Sequence, residues 1–327
     1  MATKENRLMK LLRILFVITS IVTLVKSTVA QPIAITAKPI PLNTSDPSNE
    51  RVGNLIYLGG LEITSNAPEF GGFSSLGVSA DGKRMVTISD VGRRLAANLR
   101  YDLKGRLIGL EMAELDSLSD TMGHPLSTKK YSDAEAMSPG VKGEIIIAFE
   151  RDHRLWRYLP NEIIPLPMNS PIELATLPAN SGIEALTLLD DGSLIAISEG
   201  SKGTEDAIAW ISDRQGWSVM TYASTQGFRA SGAATIPDGN ILVLERRYTL
   251  RDGVAIRIMQ LEPRSIKPGA HLVPKLLAEL RRPLNVENFE GIEALRDESG
   301  KIIIYIVSDN NFNPMQRNLL MMFELIR

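Results

Sequence analysis

Pairs of short apolar runs, each pair joined by a tight polar turn, recur along this chain. In Ser181-Gly-Ile-Glu184-Ala-Leu-Thr-Leu-Leu-Asp-Asp191-Gly192-Ser-Leu-Ile-Ala-Ile-Ser-Glu199, two apolar strands flank an Asp-Gly pair. Asp-Gly between apolar runs predicts a hairpin, because the primed turns need positive φ at both central positions. The hairpin returns the chain to its start, so Glu184 and Glu199 are expected on one edge.

The same unit appears at Ser75–Asp90, turning at Asp81-Gly82, and at Asp133–Glu150, turning around Gly140–Gly143. It appears again at Ser231–Glu245, turning at Asp238-Gly239, and at Glu290–Asp309, turning at Ser299-Gly300. Every second strand ends on a carboxylate: Asp90, Glu150, Glu199, Glu245, Asp309. The first strand opens on Glu in three copies and on Ser in two. The spacing, roughly 45–65 residues, is near the period of propeller blades.

Further strand pairs lie between the hairpins: 98–103 with 106–112, 155–159 with 172–177, 208–212 with 217–222, and 255–261 with 276–280. Each copy then has four strands except the last, which has one more at 319–326. An orphan strand at 53–63 can complete that last sheet and close a ring, which removes exposed sheet edges. The expectation is an all-β propeller of four-stranded blades, with five recognisable repeats and six possible. A β-sandwich with a small extra sheet is the competing architecture.

The ends are less regular. Lys4, Arg7, Lys10 and Arg13 precede an apolar run from Ile14 to Val25, with Thr28-Val29-Ala30 ahead of Gln31. This is the charged, apolar, small-residue pattern of a secretory signal peptide over residues 1–30. The run is short for a bilayer span, which takes about 20 apolar residues, so no stable membrane span is expected after cleavage. Residues 31–50, rich in Pro, Ser, Thr and Asn, are expected as a flexible lead-in to a domain over 51–327. The address is secreted or periplasmic.

Composition narrows the chemistry. The 327 residues carry a formal net charge of −2 and no basic block, which argues against a nucleic-acid partner. There are no cysteines and three histidines, His124, His153 and His271, so thiolate sites are excluded and a histidine-rich one is disfavoured. Oxygen ligands are plentiful. Asp90, Glu135, Glu150, Glu184, Glu199, Glu245, Glu290, Glu293 and Asp309 are all expected near one channel mouth. Crowded like charges raise one another's pKa or take a cation, and hard oxygen donors suit Ca²⁺ or Mg²⁺, with Ca²⁺ the more tolerant of an irregular shell. Each acid alone could equally cap its strand or pair with an arginine.

Basic residues follow the acids: Arg93, Arg151, Lys202, Arg246 and Arg247. Arginine forks suit phosphate or carboxylate oxygens. No serine-nucleophile elbow, P-loop or His-Glu-x-x-His motif is present, and His153 reads as a rim residue.

Ile-Ser-Asp90-x-Gly-Arg, Asp133-Ala-Glu135-Ala, Phe-Glu150-Arg, Gly182-Ile-Glu184-Ala-Leu, Ile-Ser-Glu199-Gly, Leu-Glu245-Arg246, Glu290-Gly-Ile and Val-Ser-Asp309-Asn310-Asn311-Phe312 carry a resemblance. Over roughly residues 52–327 the chain resembles the phytase-like domain family, also described as esterase-like activity of phytase. The resemblance implies exported bacterial phosphoesterases rich in Glu and Asp, and leaves the substrate open. The resulting expectation is a calcium-dependent phosphoric-ester hydrolase acting on a small phosphorylated or ester substrate. Glu184 and Glu199 are the catalytic candidates, and Arg93, Arg151, Lys202, Arg246, Arg247 and Asn310 the substrate-binding ones. A calcium-stabilised binding module without catalysis and a metal-dependent lactonase or esterase are the alternatives.

Overall fold

A computed structural model describes residues 30–200 and 206–326. Five sheets follow one another along the chain, antiparallel throughout except where His271–Leu272 runs parallel to Gly216–Ala223. From the channel outwards, blade 1 has Gly77–Val78, Arg84–Ile88, Arg93–Tyr101 and Leu107–Ser117. Blade 2 has Ala134–Pro139, Ile145–Phe149, Arg154–Tyr158 and Leu166–Met168. Blade 3 has Ile183–Leu188, Leu194–Ser198, Asp206–Asp213 and Gly216–Ala223, edged by His271–Leu272. Blade 4 has Arg229–Thr235, Ile241–Thr249, Gly253–Leu261 and Lys275–Arg281. Blade 5 has Asn288–Arg296, Ile302–Asp309, Asn318–Leu325 and, from the other end of the chain, Leu55–Thr64. The ring is a five-bladed propeller, and the six-bladed and sandwich alternatives fall away.

Period-2 alternation explains why flat sheets make a ring. In blade 5, Ile304 and Ile306 face blade 4, whereas Ile303, Tyr305 and Val307 face blade 1. In blade 3, Leu194 and Ala196 face blade 2, and Ile195 and Ile197 face blade 4. The apolar core is accordingly five clusters, each wedged between two adjacent blades. These strands are apolar on both faces because both faces are covered.

Closure is tight at the axis. A Cβ on Gly232 would lie 2.5 Å from the Glu290 carbonyl oxygen, and one on Gly291 would lie 2.6 Å from backbone carbon of Ser75. Only glycine lets neighbouring inner strands approach this closely.

Two expectations need correction. Residues 31–50 are not a free lead-in: Gln31–Pro32 pairs with Glu114 and Leu115 at the edge of blade 1, and Thr36–Pro39 pairs with Leu61–Thr64 outside blade 5. Backbone pairing lets a Pro- and Thr-rich strand serve at an edge, where proline's missing N–H costs nothing. Residues 172–177 are not the fourth strand of blade 2. Ile172–Thr176 is a 3₁₀ turn after Pro171, held by Leu174 in the core and by Trp210 Nε1 donating to Glu173 Oε2 at 3.0 Å. The expected signal peptide lies outside the described residues, apart from Ala30.

Candidate functional site

The inner hairpins share an irregularity that the sequence pattern did not announce. In blades 2, 3, 4 and 5 the register slips by one residue, at Glu135, Glu184, Ser231 and Glu290. Blade 1 has the same slip, since Phe73 opposes Ser89 while Gly77 opposes Val86. By that register Ser74, not Ser75, stands at the equivalent position. A β-bulge frees one residue from the ladder and re-aims its side chain.

The bulged residues form one ring: Ser74, Glu135, Glu184, Ser231 and Glu290. The two serines tie blades together, Ser74 Oγ donating to the Ala134 carbonyl at 2.5 Å and Ser231 Oγ to the Phe289 carbonyl at 3.0 Å. The three glutamates bring buried carboxyl groups together at this mouth.

A second ring lies just beyond, at the ends of the returning strands. Counted from the bulge pairs Phe73–Ser89, Ala134–Phe149, Ile183–Ser198, Ala230–Glu245 and Phe289–Ser308, the next residues are Asp90, Glu150, Glu199, Arg246 and Asp309. Blade 4 thus supplies an arginine where the other blades supply acids. Glu245 is one residue early, and a one-residue shift turns a side chain to the other face. It is fully buried and accepts the Tyr222 hydroxyl of blade 3 at 2.9 Å, away from the channel mouth.

Glu293 is also misplaced by the sequence reading. It lies three residues along the inner strand from Glu290, about 10 Å at the usual strand rise, and lines a cavity at the opposite mouth.

At the first mouth, Asp133, Glu135 and Glu150 each offer an oxygen within 4.8 Å of the others. Asp133 is buried and pairs with Lys129 and with Arg151, whose Nε is 2.5 Å from Oδ2. Lys129 also donates to Asp90 Oδ2 at 2.7 Å. Glu150 Oε1 accepts the Gly182 N–H at 2.6 Å. Arg246 lies 3.5 Å from Glu290 and 3.7 Å from Glu199, and Arg229 lies 3.3 Å from Glu199.

The electrostatics are unbalanced. Asp90, Asp133, Glu135, Glu150, Glu184, Glu199, Glu290 and Asp309 face Lys129, Arg151, Arg229 and Arg246, so among the described residues eight carboxyl groups meet four cations. Burial, then the Glu184 carboxylate, holds Glu135 well above the ordinary range. Burial, then Glu150 and Glu290, does the same to Glu184, against the pull of Arg246. Asp309 is pushed up to about 8 by burial and then by Glu290. Glu150 and Glu290 are raised by burial, opposed by the Gly182 N–H and by Arg246 respectively. The surplus negative charge calls for protons or a cation.

A divalent ion fits this donor set. The oxygens are hard, no thiolate competes, and Asp90 Oδ1 is buried without a hydrogen-bond partner among the described residues. Asp133, Glu135 and Glu150 would hold the ion, with Glu184 adjacent.

The other expected binders are rim fixtures. Arg93 is bound by Glu69 and Ser117, and Arg247 donates to the Gln226 carbonyl at 3.1 Å and covers the Phe228 ring. Asn310 Oδ1 accepts the Gly72 N–H at 3.0 Å, pinning the loop beside Asp90. Lys202 lies outside the described residues. Three site residues were missed: Asp133, Lys129 and Arg229. Asp133 stands in the Asp-Ala-Glu-Ala block and was legible there, whereas Lys129 sits in a connection with no periodic signal.

Residues 68–312 match the model of the phytase-like family, described as esterase-like activity of phytase. The chain belongs to that family. No curated protein matches it. Among solved structures, this phytase-like chain is similar to a protein of unknown function from Bacteroides thetaiotaomicron, at 11% identity and TM-score 0.46, covering 89% of this chain and 77% of that one. It is similar to a suspected gluconolactonase at 11% identity and TM-score 0.44, covering 90% and 96%. It is also similar to virginiamycin B lyase from Staphylococcus aureus at 12% identity and TM-score 0.40, covering 90% and 100%. No helix among the described residues is long and apolar enough to cross a membrane.

Proposed function

We propose that the acid-lined mouth is the active site of a calcium-dependent phosphoric-ester hydrolase of phytase or phosphodiesterase type, working after export. The observation that carries this reading is the excess of buried carboxyl groups over cations around Asp133, Glu135 and Glu150. A calcium ion held by Asp133, Glu135 and Glu150 would supply Lewis acidity toward a phosphoryl oxygen.

The chain's own residues do the rest. Arg246, exposed by a third and facing Glu199 and Glu290, holds the phosphate oxygens, helped by Arg151 at the opposite side of the ring. Glu199 is partly exposed and accepts a proton from the attacking water, its carboxylate oriented by Arg229 and Arg246. Glu184 keeps its proton because burial and Glu150 raise it, and it donates that proton to the departing alkoxide. A buried carboxyl group and a more exposed one held between two guanidinium groups can divide acid and base work in this way.

The test is a panel of phosphate mono- and diesters and lactones, assayed with calcium and with chelator. Phosphate-ester hydrolysis that chelation abolishes supports the reading. Lactone hydrolysis alone overturns the substrate class, and no turnover of any ester with calcium present leaves a binding module.

A further inference from the structure

The propeller axis is pinched shut at its middle. A residual void of only 10 Å³ lies there, lined by Leu76, Met137, Leu186 and Ile292 and, on the side of the acid-lined mouth, by Glu184 and Glu290. Beyond this waist the second mouth opens into a cavity of 870 Å³ lined by residues from every blade, including Val78, Pro139, Asp190, Pro237 and Leu295. A cavity of this size suits a small organic molecule, and the waist separates it from the acid-lined mouth.

The cavity wall is mostly apolar, with one carboxyl group set into it. Glu293 Oε1 accepts the N–H of Ala294 at 2.8 Å, and Glu293 has no ion-pair partner among the described residues. Both guanidinium groups at this mouth are engaged elsewhere. Arg84 pairs with Glu114 at 3.0 Å, and Arg296 donates to the Gly300 carbonyl at 2.8 Å. Asp190 and Glu144 add two further carboxylates at the rim. The local balance is negative, and burial pushes Glu293 up to about 8, as expected for an acid that lacks a cation.

We propose that the second mouth is a binding site for a small organic cation, a primary ammonium carried on an apolar body. Glu293 takes the ammonium, while Val78, Met137, Pro139 and Leu295 cover the body. The site is independent of the hydrolase reading, because it lies across the waist and shares no residue with the acid-lined ring.

The probes are benzylamine, benzyl alcohol and benzoate, titrated calorimetrically into the full chain. Benzylamine is expected to bind at least tenfold more tightly than either analogue. Glu293→Gln, which keeps the size and the acceptor for Ala294, is expected to weaken benzylamine at least tenfold, and Asp190→Asn severalfold. Glu184→Gln is expected to leave benzylamine binding unchanged, which separates this mouth from the other. A measurement free of substitutions follows the methyl resonances of Val78 and Met137 in the wild-type protein, which are expected to move on saturation. Equal binding of alcohol and amine, shifts confined to the acid-lined mouth, or no saturable signal up to about 10 mM overturns the proposal.

Discussion

Arg246 Nε lies 3.5 Å from Oε1 of Glu290, across the join between blades 4 and 5. By register, Arg246 holds the place that Asp90, Glu150, Glu199 and Asp309 hold in the other blades. One cation in a ring of acids is both a structural counter-charge and a candidate phosphate clamp. Removing one partner of a buried ion pair is far costlier than its net worth suggests, because the other charge is left uncompensated.

Arg246→Ala is therefore expected to destabilise the calcium-free protein by about 2–3 kcal/mol, a figure lowered from that of a fully buried pair for partial exposure. Urea unfolding with chelator present measures this. In kinetics the same change is expected to raise KM for phosphate esters more than for lactones, with Arg246→Lys recovering part of the loss. An equal effect on both substrate classes assigns Arg246 to charge balance alone.

Calcium should stabilise the fold by mass action. An ion that binds the native state at a hundredfold over its Kd adds about 2.7 kcal/mol, which moves the midpoint of thermal unfolding by several degrees in a domain of this size. Chelation should reverse the shift, and Glu135→Gln should blunt it by removing one donor of the cluster. A melting curve unchanged from micromolar to millimolar calcium removes the ion from the account.

The sequence disclosed the blades because paired apolar runs recur and each inner hairpin turns on Gly. It also disclosed the ring closure, since Leu55–Thr64 was left without a partner until it was set beside Asn318–Leu325. What it hid was register. The acids Glu135, Glu184 and Glu290 converge because each sits on a bulge, and a bulge has no signature in the apolar period. Without it, Leu-Glu245-Arg246 looks like another acid-ended strand, and the one-residue offset that turns Glu245 away from the channel is invisible. Glu293 was misread for a simpler reason. It lies on the right strand, but three residues of rise carry it to the other end of the channel.

The proposed roles of Glu184 and Glu199 predict different losses. Either change to Gln keeps size and removes a proton-transfer group, and each is expected to lower kcat about a hundredfold, the scale of general acid–base assistance. The pH profiles should separate them. Glu184 is raised by burial and by Glu150 and acts as its protonated form, so wild-type activity should fall as pH rises through its raised pKa. Glu184→Gln should erase that alkaline limb, and Glu199→Gln should leave it. An unchanged profile in Glu184→Gln would remove this residue from proton transfer.

Glu245 supplies a stability test that does not depend on the reaction. It is fully buried between blades 3 and 4, takes the Tyr222 hydroxyl at 2.9 Å, and leaves Oε2 without a partner among the described residues. Burial pushes it up to about 7, against the lowering effects of Tyr222 and Arg257. The folded chain therefore holds a proton here that the unfolded chain, with an ordinary Glu, releases near 4.3. Between those two values the native state binds more protons, so this group's contribution is full below pH 4, shrinks as pH rises, and is gone above about 7. The span amounts to roughly 4 kcal/mol at about 1.4 kcal/mol per unit. Glu245→Gln, neutral at every pH and still able to accept from Tyr222, should flatten that slope. Compared with wild type, it should be more stable at pH 8 and little changed at pH 4.5, as read from urea midpoints with calcium held constant. Parallel pH dependences in the two proteins would mean that Glu245 is ionised in the fold, with Arg257 as its counter-charge.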